Sequence, residues 1–105
     1  MKKYIIINTT FSKKIEARDF AKFLVEKKFC ACAQISKIES FYNWKNKIHS
    51  NKEFLLQIKT NLAFYKIIEK EIKNKNSYEN PEIISININN ISKKYSNWID
   101  SCLKN

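Results

Sequence analysis

The sequence predicts an α+β fold: four antiparallel strands in the order βαββαβ, followed by an extra C-terminal helix. Segments whose apolar residues repeat every second position take turns along the chain with segments that repeat near every 3.6. Residues 41–60 read as two long strands folded about a tight turn near Lys45 and Asn46. The 105 residues suit one domain with one core, spanning 1–105.

Tyr4 to Thr10 is rich in β-branched residues and reads as a buried first strand. Ser12 offers an N-cap to the helix that follows, and Glu16 falls in its first turn, where a negative charge meets the helix dipole. From Ile15 to Phe29, Phe20, Phe23, Leu24 and the aliphatic stem of Lys27 share one helical face. A second strand starts near Cys30. Ala31, Ala33 and Ile35 hold one parity, and Ile38, Ser40, Tyr42 and Trp44 hold the other, so a bulge is expected near Ser36 or Lys37. The chain has no glycine, and the hairpin turn needs positive φ; Asn46 is the best substitute.

The return strand ends at Lys59-Thr60, and Thr60 or Asn61 caps a second helix whose face carries Leu62, Tyr65, Ile68 and Ile72. That helix ends before the loop from Asn74 to Asn80, and Pro81 bars its continuation. Residues 84–89, Ile-Ser-Ile-Asn-Ile-Asn, alternate as a strand with one wet face. Ser92 caps a last helix with a stripe of Tyr95, Trp98, Ile99, Cys102 and Leu103. The order is that of the ferredoxin-like sandwich, with helices on one face of the sheet.

The central hairpin is longer than the helices that cover it. A strand of about 14 residues spans ~45 Å at ~3.3 Å per residue, whereas a helix of about 16 residues spans ~24 Å. The overshoot carries Phe41, Tyr42 and Trp44, which are costly to leave in water. An unpaired aromatic edge is an aggregation hazard, and a closed homo-oligomer removes it.

A formal net charge of +10 invites a polyanion partner. The lysines, however, are scattered (Lys13, Lys27, Lys45, Lys59, Lys73 and Lys93 among them), and Arg18 is the single arginine. A solvated lysine surface is the simpler reading, and nucleic acid is not the expected partner. No apolar run approaches the ~20 residues of a membrane span, and the apolar start is too short for a signal peptide. Cys30, Cys32 and Cys102 are an odd set, so reduced thiols in the cytoplasm are expected.

Ala31-Cys32-Ala33-Gln34-Ile35, Tyr42-Asn43-Trp44-Lys45-Asn46-Lys47-Ile48, Glu53, Lys59-Thr60 and Tyr78-Glu79-Asn80-Pro81-Glu82-Ile83 together resemble the CutA divalent-cation tolerance family. The resemblance runs from Thr9-Thr10-Phe11 to Asn97-Trp98-Ile99. It implies a ferredoxin-like protomer in a tight cytoplasmic homotrimer built by strand pairing between subunits. It also implies a tie to copper and other divalent cations, with no defined catalytic activity. Two departures stand out: Asn46 replaces the turn glycine, and Asn76-Ser77-Tyr78 stands where the family has His-Pro-Tyr. Asparagine is a poor ligand for copper.

Cys30 and Cys32 form a C-x-C on an expected strand, which puts both thiols on one face, as a soft Cu(I) site would require. The plainer reading makes Cys32 a small buried hydrophobe. His49, the single histidine, sits near the hairpin tip, where three copies approaching one another would bring a metal site together. Tyr42, Trp44, Glu53, Lys59, Tyr78 and Glu82 match the family motifs and read as a cleft between subunits. In it the aromatics pack and Lys59 pairs with Glu82 or Glu53, or Lys59 and Tyr78 hold a small anionic ligand.

Catalysis finds no support: one histidine leaves no nucleophile–base pair, and a phosphate loop needs glycine. The leading expectation is a non-catalytic trimeric protein of metal-ion tolerance, acting as a ligand-responsive module. The rivals are an RRM-like RNA-binding module, whose glycine-containing aromatic motif is missing, and a purely structural trimeric scaffold binding a small anionic ligand between subunits. An acylphosphatase-like enzyme would need a glycine-rich anion loop with arginine, which this chain lacks.

Overall fold

The computed structural model describes residues 3–105. In chain order the elements are β1 (Tyr4–Phe11), α1 (Lys14–Glu26), β2 (Cys32–Trp44), β3 (Lys47–Asn61), a 3-10 turn (Leu62–Phe64), α2 (Tyr65–Lys75), β4 (Ile84–Asn87) and α3 (Lys93–Cys102). The sheet is antiparallel throughout, in the order β2-β3-β1-β4. This is the expected ferredoxin-like βαββαβ arrangement with a C-terminal helix. The main core lies between one sheet face and two helices: Ile5, Ile7 and Phe11 of β1 with Leu56 and Ile58 of β3, against Phe20 and Leu24 of α1 and Ile68 and Ile72 of α2.

The third helix departs from the expected layering. Ile99 and Leu103 pack with Ala31 in a second cluster, joined by Tyr4. The Tyr4 hydroxyl donates to the Asp100 carboxylate at 2.9 Å. Lys59, opposite Ile6 in the β1–β3 register, rests over the Tyr95 ring at 5.5 Å. Tyr4 and Lys59 alternate with the buried Ile5 and Ile58, so α3 covers one end of the face that α1 and α2 leave open. Ser92 caps it as expected, accepting the Tyr95 N–H at 3.1 Å.

Two capping expectations are revised at α1. Its N-cap is Lys13, with no side-chain cap, so Ser12 does not serve. Its C-terminus comes before Phe29, because Lys28 takes φ 61°. The Phe29 N–H reaches the Leu24 carbonyl at 3.0 Å and the Lys28 N–H reaches Val25 at 3.1 Å, the paired bonds of a Schellman motif. Glycine normally fills that left-handed position. A residue with a Cβ costs about 1–2 kcal/mol there, and glycine's greater unfolded-state freedom returns part of that. Lys28→Gly is therefore expected to stabilise the chain by about 0.5–1 kcal/mol, read as a rise in the urea midpoint with an unchanged slope.

The hairpin register is continuous from Cys32↔Lys59 to Trp44↔Lys47, so no bulge interrupts β2. The change of parity has another cause. Ala33 and Ile35 pack on the core beneath α1, while the residues beyond them have left the helices behind and are apolar on the opposite face. The turn itself meets the expectation at Asn46, φ 62°, and Lys45 shares it at φ 53°. With its ribbon the chain measures 45 × 26 × 22 Å, long in one direction.

Candidate functional site

The free part of the ribbon pairs residues 38–44 of β2 with 47–53 of β3. Cross-strand partners share a face, so Ile38, Ser40, Tyr42 and Trp44 stand with Glu53, Asn51, His49 and Lys47 on the side away from α1 and α2. His49 lies between two rings, 5.9 Å from Tyr42 and 5.3 Å from Trp44. Asn51 donates to the Tyr42 hydroxyl at 2.6 Å. The other side of the tip is apolar too, with Phe41 69% and Ile48 82% exposed.

The loop after α2 closes over the base of this ribbon, and a few side chains hold it there. The Asn76 amide is buried and both its polar atoms are bonded: Nδ2 donates to the Thr10 carbonyl and Oδ1 accepts the Tyr78 N–H, each at 2.9 Å. Glu16, in the first turn of α1, accepts from the Ser77 N–H at 2.9 Å and its hydroxyl at 3.1 Å. Tyr78, so positioned, donates its hydroxyl to Glu53 Oε1 at 2.9 Å. Burial, then the bond to the Glu53 carboxylate, drives the Tyr78 phenol far above its usual range and keeps it a donor. Partial desolvation of the otherwise exposed Glu82, then the charge of Glu53, also raises its carboxyl above the usual carboxylate range.

Between loop and ribbon opens a cleft of about 980 Å³, lined by Tyr42, Trp44, Glu53, Tyr78 and Glu82 with Ser40, Asn51, Glu79 and Asn80 among its other walls. Five of the six residues expected at a cleft therefore meet: Tyr42, Trp44, Glu53, Tyr78 and Glu82. Lys59 does not join them. It lies six positions along β3 from Glu53, about 20 Å at ~3.3 Å per residue, and its ammonium contacts the Tyr95 hydroxyl at 3.5 Å. Among the described residues of one chain, Lys59 makes no carboxylate pair, and it is too far from Tyr78 for the two to hold one anion.

The soft donors do not form the expected strand-face pair, and the Cys32 thiol is far from His49. The chain bends at Ala31, so Cys30 enters the main core while Cys32 pairs with Lys59 in the sheet, and the C-x-C does not present a dithiol on one strand face. Burial, with the nearby Cys32 thiol, pushes the Cys30 thiol up to about 12, which keeps it protonated. Cys32 and the pair Tyr42–His49 are ten positions apart on β2, about 33 Å. Among the described residues, no group of three or more His, Cys, Asp or Glu is placed to hold a metal ion.

Glu16, Asn76 and Glu79 were not among the expected site residues. Asn76 and Glu79 carry a signal in the sequence, as the departure from His-Pro-Tyr and as part of the motif from Tyr78 to Ile83; the bonds of Glu16 to Ser77 carry none, because they depend on where the loop lands.

Residues 5–102 match the family model described as CutA1 divalent ion tolerance protein. The chain belongs to that family. The divalent-cation tolerance protein CutA of Archaeoglobus fulgidus is 37% identical over 89 residues, covering 85% of this chain and 87% of that protein. A probable cutA homolog of Encephalitozoon cuniculi is 31% identical over 98% of this chain and 90% of its own length. Among CutA structures, that of Archaeoglobus fulgidus, described as a periplasmic divalent cation tolerance protein, superposes with a TM-score of 0.93 at 35% identity, covering 96% of this chain and 99% of the other. Family members are thus described from more than one compartment, an Arabidopsis thaliana relative being called chloroplastic. In the described residues of this chain, no helix is long and apolar enough to cross a membrane.

Proposed function

We propose that this chain acts as a cytoplasmic, non-catalytic homotrimer of the divalent-cation tolerance type, one domain over residues 1–105, with the ribbon cleft as its ligand-responsive site. The observation that carries it is the ribbon, which extends past its own helices with apolar side chains on both faces, Trp44 on one and Ile48 on the other. A single copy leaves that surface in water; neighbouring copies would cover it and wall the cleft.

Copper or another divalent cation is the cue we assign. With Cys32 and His49 far apart in one chain, a direct metal site would draw donors from more than one copy, His49 near the tip being the first candidate. The RNA-binding rival loses its platform. Aromatic stacking would be needed on the central strands, but their open-face residues include Ile6, Asn8, Leu55 and Gln57, and Tyr4 is engaged with Asp100.

Light scattering at micromolar concentration tests the assembly, with a mass of three chains expected; a stable monomer would refute it. Titration with Cu(I), Cu(II) and Zn(II) then tests the cue. Saturable uptake in a fixed ratio to the trimer is expected, and uptake seen solely at millimolar metal without stoichiometry would remove metal binding from the assignment.

A further inference from the structure

We propose that the ribbon cleft binds an organic ammonium compound, in its simplest form an extended polyamine, through carboxylates at its base and aromatic rings toward its tip. The inference deepens the ligand-responsive reading above and rests on the same cleft.

Charge is the first argument. The chain carries 20 Lys and Arg against 10 Asp and Glu, yet the cleft is lined by Glu53, Glu79 and Glu82 and by no basic side chain. Glu53 and Glu82 line the cleft together, Glu53 accepts the Tyr78 hydroxyl, and no described basic side chain of the same chain lines the cleft beside them. An anionic ligand would meet repulsion here.

The walls then separate an organic cation from a metal ion. A hard divalent metal takes about 6–8 oxygen donors within ~2.6 Å, and the described acidic residues do not converge in that way. The cleft, about 980 Å³, is the size of a small-molecule site and not of an ion cage. Its remaining walls include Tyr42, Trp44 and Tyr78. Aromatic faces attract ammonium groups, whereas a hard divalent metal is held by oxygen donors. The Trp44 ring already shows this chemistry, with Lys45 Nζ at 4.5 Å from its centroid. From Ile38, opposite Glu53, to Trp44 the ribbon runs about 20 Å, a length that favours an extended ligand over a compact one.

Isothermal titration of the purified oligomer with spermidine tests the proposal. The overall charge of +10 repels a polycation, so binding reports the cleft and not the general surface. Saturable binding with one spermidine per chain is expected, weakened tenfold or more by Glu82→Gln and by Trp44→Leu. Glu82 is exposed, so Glu82→Gln keeps the test valid should Trp44→Leu disturb assembly. No binding at millimolar spermidine, binding indifferent to both substitutions, or displacement by equimolar Mn²⁺ would each overturn it. A neighbouring copy's lysine filling the cleft would appear as the first of these. Light scattering on the same samples keeps the two readings apart: a trimer that ignores spermidine refutes this inference alone, and a monomer that binds it refutes the trimer alone.

Discussion

Replacing Asn76 by alanine is expected to cost about 2–4 kcal/mol of stability, a large part of the ~5–15 kcal/mol that holds a domain of this size. The amide bridges two backbone groups: the carbonyl of the buried Thr10 and the N–H of Tyr78. Leaving a buried donor or acceptor unmade costs about 1–3 kcal/mol each. The loss falls on the loop first, so Tyr78 should release Glu53 before the sheet melts. Urea denaturation measures the first effect. Faster amide exchange confined to residues 76–83 measures the second, and equal protection of that loop in both proteins would contradict it.

The same contact explains a departure from the family pattern. A neutral imidazole has one N–H donor and one nitrogen acceptor, the inventory that Asn76 spends on Thr10 and Tyr78. Asn76→His should therefore fold near pH 8 with stability close to the parent. It should lose stability as pH falls, because the protonated ring has two donors and no acceptor for the Tyr78 N–H. The sign follows: the folded state favours the neutral ring, so its pKa is depressed, and the stabilisation is present above the unfolded value and lost as pH falls through it. With both its polar atoms bonded to the backbone, Asn76 is a positioning residue for Tyr78.

Periodicity revealed the elements because it reflects which residues a local segment buries. Ile5, Ile7, Leu24, Ile68, Ile72 and Ile99 all lie at apolar repeat positions and all are fully buried. Where the covering surface changes, local reading misleads. The parity switch between Ile35 and Ile38 looks like a bulge, yet the register is unbroken; a ribbon that leaves its own helices meets a different partner on its other face. Likewise Ala31 looks like strand, but the bend there sends Cys30 and Cys32 into different surroundings. The family motifs named six residues for a cleft between copies; five line one cleft of a single chain, and Lys59 lies elsewhere in that chain, because likeness of motif carries no distance. Glu16 stayed hidden since its partner, Ser77, is 61 positions away.

Ile86→Lys is expected to abolish the proposed homotrimer while leaving the protomer folded. In one chain Ile84 and Ile86 of the edge strand β4 are 49% and 47% exposed, and they stand beside Asn8 and Ile6 on the face that α1 and α2 leave open. Two isoleucines on an edge strand invite pairing with another chain unless a copy of this one covers them. Covering the exposed half of one isoleucine is worth about 1 kcal/mol, and burying an unpaired ammonium there costs several kcal/mol more. Repeated at three interfaces, that penalty far outweighs the change within the protomer, where a half-exposed edge position tolerates lysine at about 0.5 kcal/mol. The expected result is a mass of one chain at micromolar concentration with an unchanged far-UV spectrum. Lys70→Glu, on an exposed position of α2, should leave the trimer intact. A trimeric Ile86→Lys protein would mean that β4 faces solvent in the assembly, and the open sheet face would then be ruled out as the surface where the copies meet.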